Sequence, residues 1–288
     1  MESEVAGVTK QAGRPEKRSR LIRAGGPFRY AALNKPSGCL CARKPPNGKD
    51  TPTVYDVLKC CGFPLDMGHV GRLDRETEGL LLFTDDGLLL QALTNSHPVT
   101  RNGSLPHWAK PRMVDHTRVD GDAGPDVDAS QLTNETGNVN RNNGRPTYDK
   151  IQGITKKYIC ELDGPPPTEA QLELMRQPFT YGEGKGSQKQ GKQKVVTGPA
   201  EVHVLGKSAN GGSLVEVCIA EGRNRQVRRL VKRSRLQLRL LRRVALGPIE
   251  LHDLPTGRAR WLCTTEIAAC YALALPGHQV PDIVQNTP

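Results

Sequence analysis

The residues of this chain best suited to chemistry lie in the segment GRLDRETEGLLLFTDDG, from Gly71 to Gly87. Asp74 occupies a polar, turn-like run in which it is flanked by Arg72 and Arg75, and an apolar strand is predicted over Leu80–Phe83. Neighbouring positive charge favours the ionised form of a carboxylate, and an ionised carboxylate beside a rigid strand can act as a nucleophile or base. The plainer interpretation is that Asp74 only ends a turn.

A second segment, EGRNRQVRRL from Glu221 to Leu230, carries positive charge. Between Glu221 and Arg243 the sequence has ten Lys or Arg and one Glu, and the planar fork of arginine suits phosphate and carboxylate. A predicted strand, Ser213–Gly222, precedes a stretch with helical spacing whose two faces differ. The apolar face has Val227, Leu230 and Val231, and the basic face has Arg225, Arg228, Arg229 and Lys232.

Such a run of charge is often only a solvated helix face. Here the excess continues into LQLRLLRR, a predicted strand over Leu236–Arg243. Two adjoining elements with the same excess predict a surface for a polyanion.

The composition also favours a polyanionic partner. The 288-residue chain has a formal net charge of +11, from 41 Lys and Arg against 30 Asp and Glu, and nucleic acid is the commonest polyanion bound in this way. Aromatic residues make up only 4% of the chain, which excludes broad stacking on bases as the main binding mode. No apolar run approaches the length of a membrane span.

The eight cysteines indicate a reducing compartment. None of them forms the C-x-x-C pair of a zinc site, and Cys160 and Cys218 lie in apolar strand patterns that predict buried thiols. Because the sequence shows no secretory signal, we expect an intracellular protein, cytoplasmic or organellar, that is not secreted.

Strands and helices are interspersed without a Gly-rich dinucleotide turn, which predicts an α+β domain with a mixed, mostly antiparallel sheet. We expect one folded domain over 28–275, interrupted by a disordered insert at 103–153 and a polar loop at 181–194. Residues 1–27 read as a basic disordered tail and 276–288 as a second tail.

Local signals place the helix starts. Thr51 is predicted to cap the first helix, and Asp85 or Asp86 the second. The pattern T-x-x-Q from Thr168 predicts a capping box. The final helix is predicted to begin at about Glu266.

Three segments together, LNKPSG (Leu33 to Gly38), GRLDRETEGLLLFTDDG and EGRNRQVRRL, resemble the pseudouridine synthases that modify ribosomal RNA. The most similar branch is the one often called the RsuA/RluB/RluE group. KKYICEL (Lys156 to Leu162) is similar to the tyrosine-bearing strand of the family, and the run Leu241–Ile267 to its C-terminal segment. The resemblance covers roughly 28–102 and 154–275, and it implies a curved sheet in two halves with the active site in the cleft between them.

The resemblance implies an RNA pseudouridine synthase in which Asp74 is the catalytic carboxylate and Tyr158 packs against the target base. Arg228 is implied to pair with Asp74, with Arg223 and Arg225 as the alternative partners. The reaction requires no cofactor or metal in principle, and we expect a monomer whose partner is ribosomal RNA. Six basic residues are predicted to contact that RNA: Lys35, Arg72, Arg223, Arg225, Arg229 and Lys232.

The chain differs from many members of the family by an insert of about 50 residues before Lys156 and by lacking an N-terminal helical RNA-binding module. The second difference favours large-subunit RNA as substrate, with small-subunit RNA or another structured RNA as the alternative. Two other classes of function fit parts of the sequence. Basic charge alone would suffice for a non-catalytic rRNA-binding protein, and Asp74, Asp85 and Asp86 would suit a metal-dependent nuclease.

Overall fold

A nine-stranded sheet organises the chain in the computed structural model, which describes residues 27–45, 50–94, 140–142, 145–147, 154–183 and 193–283. The strands are β1 (Tyr30–Lys35), β2 (Gly68–His69), β3 (Glu78–Thr84), β4 (Asn140–Asn142), β5 (Arg145–Thr147), β6 (Lys156–Asp163), β7 (Thr180–Glu183), β8 (Gln193–Val196), β9 (Glu201–Lys207), β10 (Ser213–Ile219), β11 (Gln237–Leu246), β12 (Ile249–Glu250) and β13 (Ala259–Trp261). The helices are α1 (Val54–Cys60), α2 (Gly87–Thr94), α3 (Glu169–Arg176), α4 (Gln226–Arg233) and α5 (Thr264–Ala274).

The main path of the sheet follows the order β13-β1-β3-β11-β6-β10-β9, with β2 and β12 paired at its side. Every pairing in it is antiparallel except that of β3 with β11, which is parallel and joins the two halves of the sheet. The predicted α+β class, with a mixed and mostly antiparallel sheet, is therefore confirmed.

The first half of the sheet is buried on both faces. Leu81 and Phe83 of β3 join one hydrophobic cluster, with residues from α1, α3 and α4, while Leu80 and Leu82 join a second cluster with α2 and α5. A strand covered on both sides reads as a continuous apolar run, and this explains the sequence LLLF.

The second half of the sheet buries one face only. Along β6, residues alternate between buried and half-buried. Cys160 points into the first cluster and is fully buried, as predicted. The prediction of a buried thiol is wrong for Cys218, which is only half-buried because it lies on the open face of β10.

The helices begin where a side chain can cap the first backbone N–H groups. α1 is capped by Thr53 rather than by Thr51, because Asp56 lies three residues after Thr53: its Oδ2 accepts from the Thr53 N–H at 2.8 Å, and Thr53 Oγ1 accepts from the Asp56 N–H at 3.3 Å. The box from Thr168 is confirmed. For α2 the cap is Asp86, whose Oδ1 accepts from two backbone N–H groups at 3.0 and 3.1 Å.

The final helix begins at Thr264, two residues before the predicted start. Cys263 is its N-cap, and Glu266 is the third residue of the helix, where its Oε2 accepts from the Cys263 N–H at 2.9 Å. An acid in the first turn also suits the positive end of the helix.

The packed chain extends beyond the predicted boundary at residue 275. The Phe28 N–H donates to Asp282 O at 2.9 Å, and Ile283 packs against the second hydrophobic cluster. The predicted polar loop at 181–194 has an antiparallel pair, β7 with β8, at its two ends. Within 103–153 the structure describes only the β4–β5 pair. The rest of that insert and residues 1–26 lie outside the described residues, so their division into insert and tail stays a prediction.

Gly79 makes the parallel junction possible. Its φ is +101°, and a Cβ added there would lie 2.2 Å from Arg243 O. We expect Gly79→Ala to lower the free energy of unfolding by several kcal/mol, in order of magnitude, because a backbone clash is added to the strain of a positive φ. Gly62→Ala is the matched control, since Gly62 has φ +76° and nothing within 4 Å; strain alone should cost about 1 kcal/mol there. Equal losses for the two variants in urea unfolding would contradict this account.

Candidate active site

A cavity of about 670 Å³ opens where the two halves of the sheet meet. The loop before β3 and the start of α4 form its polar walls. Its floor is made of side chains from β6, β10 and β11: Lys156, Tyr158, Ile219, Leu241, Arg243 and Leu246. Segments about 150 residues apart in sequence therefore line one site.

A buried lysine fixes the loop that carries Asp74. Lys35 is 0% exposed, and its Nζ donates to the carbonyl oxygens of Pro36, Arg75 and Thr77 at 3.0, 3.1 and 2.9 Å. The Thr77 N–H closes the turn on Asp74 O at 3.1 Å. These bonds leave the Asp74 side chain 27% exposed on the cavity wall.

Two arginines at the start of α4, between β10 and β11, approach the Asp74 carboxylate. Arg225 Nη1 lies 3.6 Å and Arg228 Nε 3.7 Å from Asp74 Oδ2, distances of ion pairs rather than hydrogen bonds. Arg228 Nη2 also donates to Thr77 Oγ1 at 3.2 Å. Arg225 is shared with Glu76, whose Oε2 lies 3.2 Å away. The structure thus brings the predicted pair together and adds Arg225, one of the two alternative partners.

A buried glutamate orders the turn that presents these arginines. Glu221 is 3% exposed, and its Oε1 accepts from the Gly198 N–H and from Gln226 Nε2, both at 2.6 Å. Arg223 Nε donates to its other oxygen at 3.1 Å, so Arg223 is directed toward Glu221 rather than toward Asp74. The chain then passes through a left-handed conformation at Arg225, with φ 51°, and enters α4. The sequence analysis did not predict this role of Glu221. The signal that could have indicated it is that Glu221 is the single acidic residue in a basic segment.

Tyr158 and Lys156 lie on the same face of β6, and both line the floor of the cavity. Tyr158 is 8% exposed and faces Arg243 across the β6–β11 pair. Lys156 is buried, donates to Ile154 O at 3.2 Å, and has its pKa lowered to about 8 by burial and by the charge of Arg243. The floor therefore combines apolar side chains with the positive charges of Lys156 and Arg243.

The other residues predicted to contact RNA differ in how accessible their charged groups are. Arg72 is exposed at the cavity wall and Lys232 is exposed on α4, so both can reach an RNA. Arg229 is half-buried, with its guanidinium stacked 4.3 Å over the ring of Tyr181 and Nε donating to Asn224 O at 3.0 Å. Lys35 does not fit its predicted RNA contact, because its ammonium group is buried and is bonded to three carbonyls of its own chain.

Asp85 and Asp86 do not join Asp74 at the cavity. Asp85 pairs with Arg29 at 2.7 Å. Asp86 caps α2 and accepts from the hydroxyl groups of Tyr30 and Tyr271 inside the second hydrophobic cluster. The nuclease interpretation, which needs these carboxylates to converge, therefore has no geometric support.

Comparisons with known proteins agree with this geometry. The family model described as RNA pseudouridylate synthase matches residues 29–102. The chain is 30% identical over 228 residues to ribosomal large subunit pseudouridine synthase E of Xanthomonas campestris, covering 79% of this chain and 92% of that protein. Identity to ribosomal large subunit pseudouridine synthase B of Bacillus subtilis is 27% over 246 residues, covering 85% and 72%. Identity to ribosomal small subunit pseudouridine synthase A of Pseudomonas aeruginosa is 38% over 111 residues, covering 37% and 44%.

The same fold is found in a solved crystal structure of a pseudouridylate synthase, with a TM-score of 0.50 and 23% identity over 84% of this chain and 74% of that chain. The chain belongs to the ribosomal RNA pseudouridine synthase family and is an RNA pseudouridine synthase. None of the helices in its described residues is long and apolar enough to cross a membrane.

Glu221→Gln should lower the free energy of unfolding by about 2 kcal/mol, because hydrogen bonds to a buried charged acceptor are lost or weakened. Glu216→Gln is the control: Glu216 pairs with Lys157 at 3.6 Å, and the lysine side chain is 39% exposed. Such a surface pair contributes less than about 1 kcal/mol. Denaturant unfolding of both variants is the measurement, and similar small losses would show that Glu221 does not order the turn.

Arg228→Ala should reduce turnover sharply, because the Asp74 carboxylate loses the partner that is itself fixed by Thr77. The loss of stability should stay below the roughly 3–5 kcal/mol of a fully buried pair, since Arg225 remains and Asp74 is partly exposed. Lys232→Ala, on the same helix but exposed, should keep turnover at saturating RNA and reduce the salt dependence of binding by about one unit of slope. If both variants show the same turnover and salt slope, Arg228 has no special role.

Proposed function

We propose that this enzyme isomerises a specific uridine of large-subunit ribosomal RNA to pseudouridine, with Asp74 as its catalytic carboxylate. One observation carries the assignment: Asp74 is on the wall of the cavity between the two halves of the sheet, partly exposed, and two guanidinium groups lie 3.6 and 3.7 Å from its carboxylate. Among the described residues it is the only acidic side chain that lines this cavity. The chain is 30% identical to a large-subunit relative over 92% of that protein's length, which supports the choice of substrate.

The reaction rearranges bonds without a net change of oxidation state. The bond between ribose C1′ and uracil N1 breaks, the base turns, and C1′ bonds to C5 instead. C5 loses a proton, and N1 carries one in the product. What the protein must supply is a carboxylate beside the sugar, a space in which the base can turn, and a way to hold the base out of its stack.

The cavity residues suit these tasks. Asp74 acts on the reacting nucleotide, and Arg228 and Arg225 compensate its charge and fix its position. Tyr158 packs against the displaced base on the cavity floor. Arg72, exposed at the wall, contacts the RNA backbone or fills the space that the base has left.

The RNA itself is held by phosphate contacts. With a formal net charge of +11, the chain gains affinity from counterion release, and that affinity falls as salt rises. Lys232 and Arg229 on α4 extend the positive surface away from the cavity. Binding and chemistry therefore depend on different residues and can be separated by mutation.

Asp74→Asn should abolish isomerisation and leave RNA affinity within about threefold, because one charge contributes little to a binding energy summed over many phosphates. Asp163→Asn is the control, since Asp163 pairs with Arg239 at 2.5 Å at the far end of β6 and does not line the cavity. Turnover is followed by pseudouridine content of a ribosomal RNA transcript. A tenth of wild-type turnover in Asp74→Asn would exclude Asp74 as the essential group.

Mapping pseudouridines in the ribosomal RNA of cells that lack the protein tests the substrate. We expect one large-subunit position to lose its modification and to regain it with wild-type protein but not with Asp74→Asn. Loss of a small-subunit position instead would overturn the choice of substrate and leave the reaction type unchanged. The 38% identity to a small-subunit enzyme is the observation that favours this second candidate.

A further inference from the structure

We propose that Arg243 binds the uracil ring itself: its Nη2 donates a hydrogen bond to a carbonyl oxygen of the target base and stabilises negative charge that develops there. The inference rests on the proposed function and adds a residue to its site. It assigns base recognition to the cavity floor rather than to the arginine-rich wall.

The observation behind it is an unpaired buried donor. Arg243 is 2% exposed and lines the cavity, and its Nε donates to Leu80 O at 2.8 Å. Nη2 of the same side chain is buried without a hydrogen-bond partner among the described residues. Buried charged donors are normally paired, because leaving one unpaired costs free energy. A donor of this kind at the floor of a cavity points to a ligand that supplies the acceptor.

The position of Arg243 indicates which part of the ligand it meets. Arg243 and Tyr158 are opposite each other on β11 and β6, so their side chains leave the same face of the sheet. A base packed against Tyr158 is therefore adjacent to the guanidinium of Arg243. Leu241 and Leu246 of the same floor are apolar, and an apolar surround strengthens a hydrogen bond to a charged group.

The protein does not offer Arg243 a carboxylate in this cavity. Asp74 is held by Arg225 and Arg228, and it is the only acidic side chain among the described residues that line the cavity. A phosphate group suits the exposed arginines of the wall better than a 2% exposed residue of the floor. The O2 and O4 atoms of uracil are the acceptors that a base turned into the cavity brings to this depth.

The same contact assists the chemistry. When the C1′–N1 bond breaks heterolytically, the electron pair stays on N1 and is delocalised onto O2 and O4. A fixed cation at one of these oxygens stabilises that charge without reorganisation. The pair then forms the C5–C1′ bond, C5 releases its proton, and N1 is protonated, so the atoms and electrons balance. Arg243 thereby helps to break the old bond and retains the free base until the new bond forms.

The test compares two RNA stem-loops of the large-subunit sequence that carries the modified uridine, one with the uridine and one with an abasic ribose at that position. Wild-type protein should bind the uridine RNA more tightly. Arg243→Gln should reduce this preference at least fivefold and turnover about 100-fold, with affinity for the abasic RNA unchanged. Arg239→Gln is the control, because Arg239 is on the same strand, pairs with Asp163 at 2.5 Å and does not line the cavity. A purely structural role of Arg243 predicts equal losses on both RNAs and would overturn the proposal.

A second measurement uses wild-type protein and does not depend on whether Arg243→Gln folds. Sulfur is a weaker hydrogen-bond acceptor than oxygen, so RNA with 2-thiouridine or 4-thiouridine at the target should show reduced turnover for at least one of the two. Unchanged turnover with both would overturn the role of Arg243 and leave the proposed function standing. Absence of wild-type turnover on the uridine RNA would instead overturn the proposed function and this inference with it.

Discussion

The parallel pairing of β3 with β11 is the contact on which the site depends. It comprises two residue pairs, Arg242 with Glu78 and Arg243 with Gly79, yet it joins the two halves of the sheet. The loop before β3 carries Asp74, and helix α4 with its N-cap, which precede β11, carries Arg228 and Arg225. Because both strands enter the junction in the same direction, the segments that precede them lie at the same edge of the sheet. Parallel pairing therefore brings the carboxylate and its arginines together.

The junction also explains why the site has an excess of positive charge. Arg243 is buried at the junction, Lys156 lies on the neighbouring strand, and Arg225 and Arg228 lie on the opposite wall around one carboxylate. Burial of the Arg243 and Lys156 cations is unfavourable without compensating anions or hydrogen-bond acceptors. In the folded chain Asp74 and backbone carbonyls supply part of that compensation.

Features of the sequence that act over a few residues were predictable. The capping box from Thr168, the alternation along β6 and the apolar face of α4 depend on local spacing, and each is present. Helix α1 shows the limit of that approach, since Thr51 and Thr53 are equally plausible caps until the position of Asp56 is considered. The family motifs placed Asp74 and Arg228 in one site, which no local periodicity reveals. The burial of Lys35 and the partners of Glu221 follow from contacts between distant segments, and these are invisible in the sequence.

The basic residues in and around the cavity differ in what they bind. Lys35 donates to three carbonyls of its own chain and Arg223 to Glu221, so these charges hold loops in place. Arg225 and Arg228 hold the carboxylate. Arg243 differs from both groups, because its Nε is fixed by Leu80 O while its buried Nη2 has no hydrogen-bond partner among the described residues. A donor that is anchored at one nitrogen loses little conformational freedom when the other nitrogen binds a ligand. Such preorganisation is what a site needs if it must hold a base that is detached from its ribose.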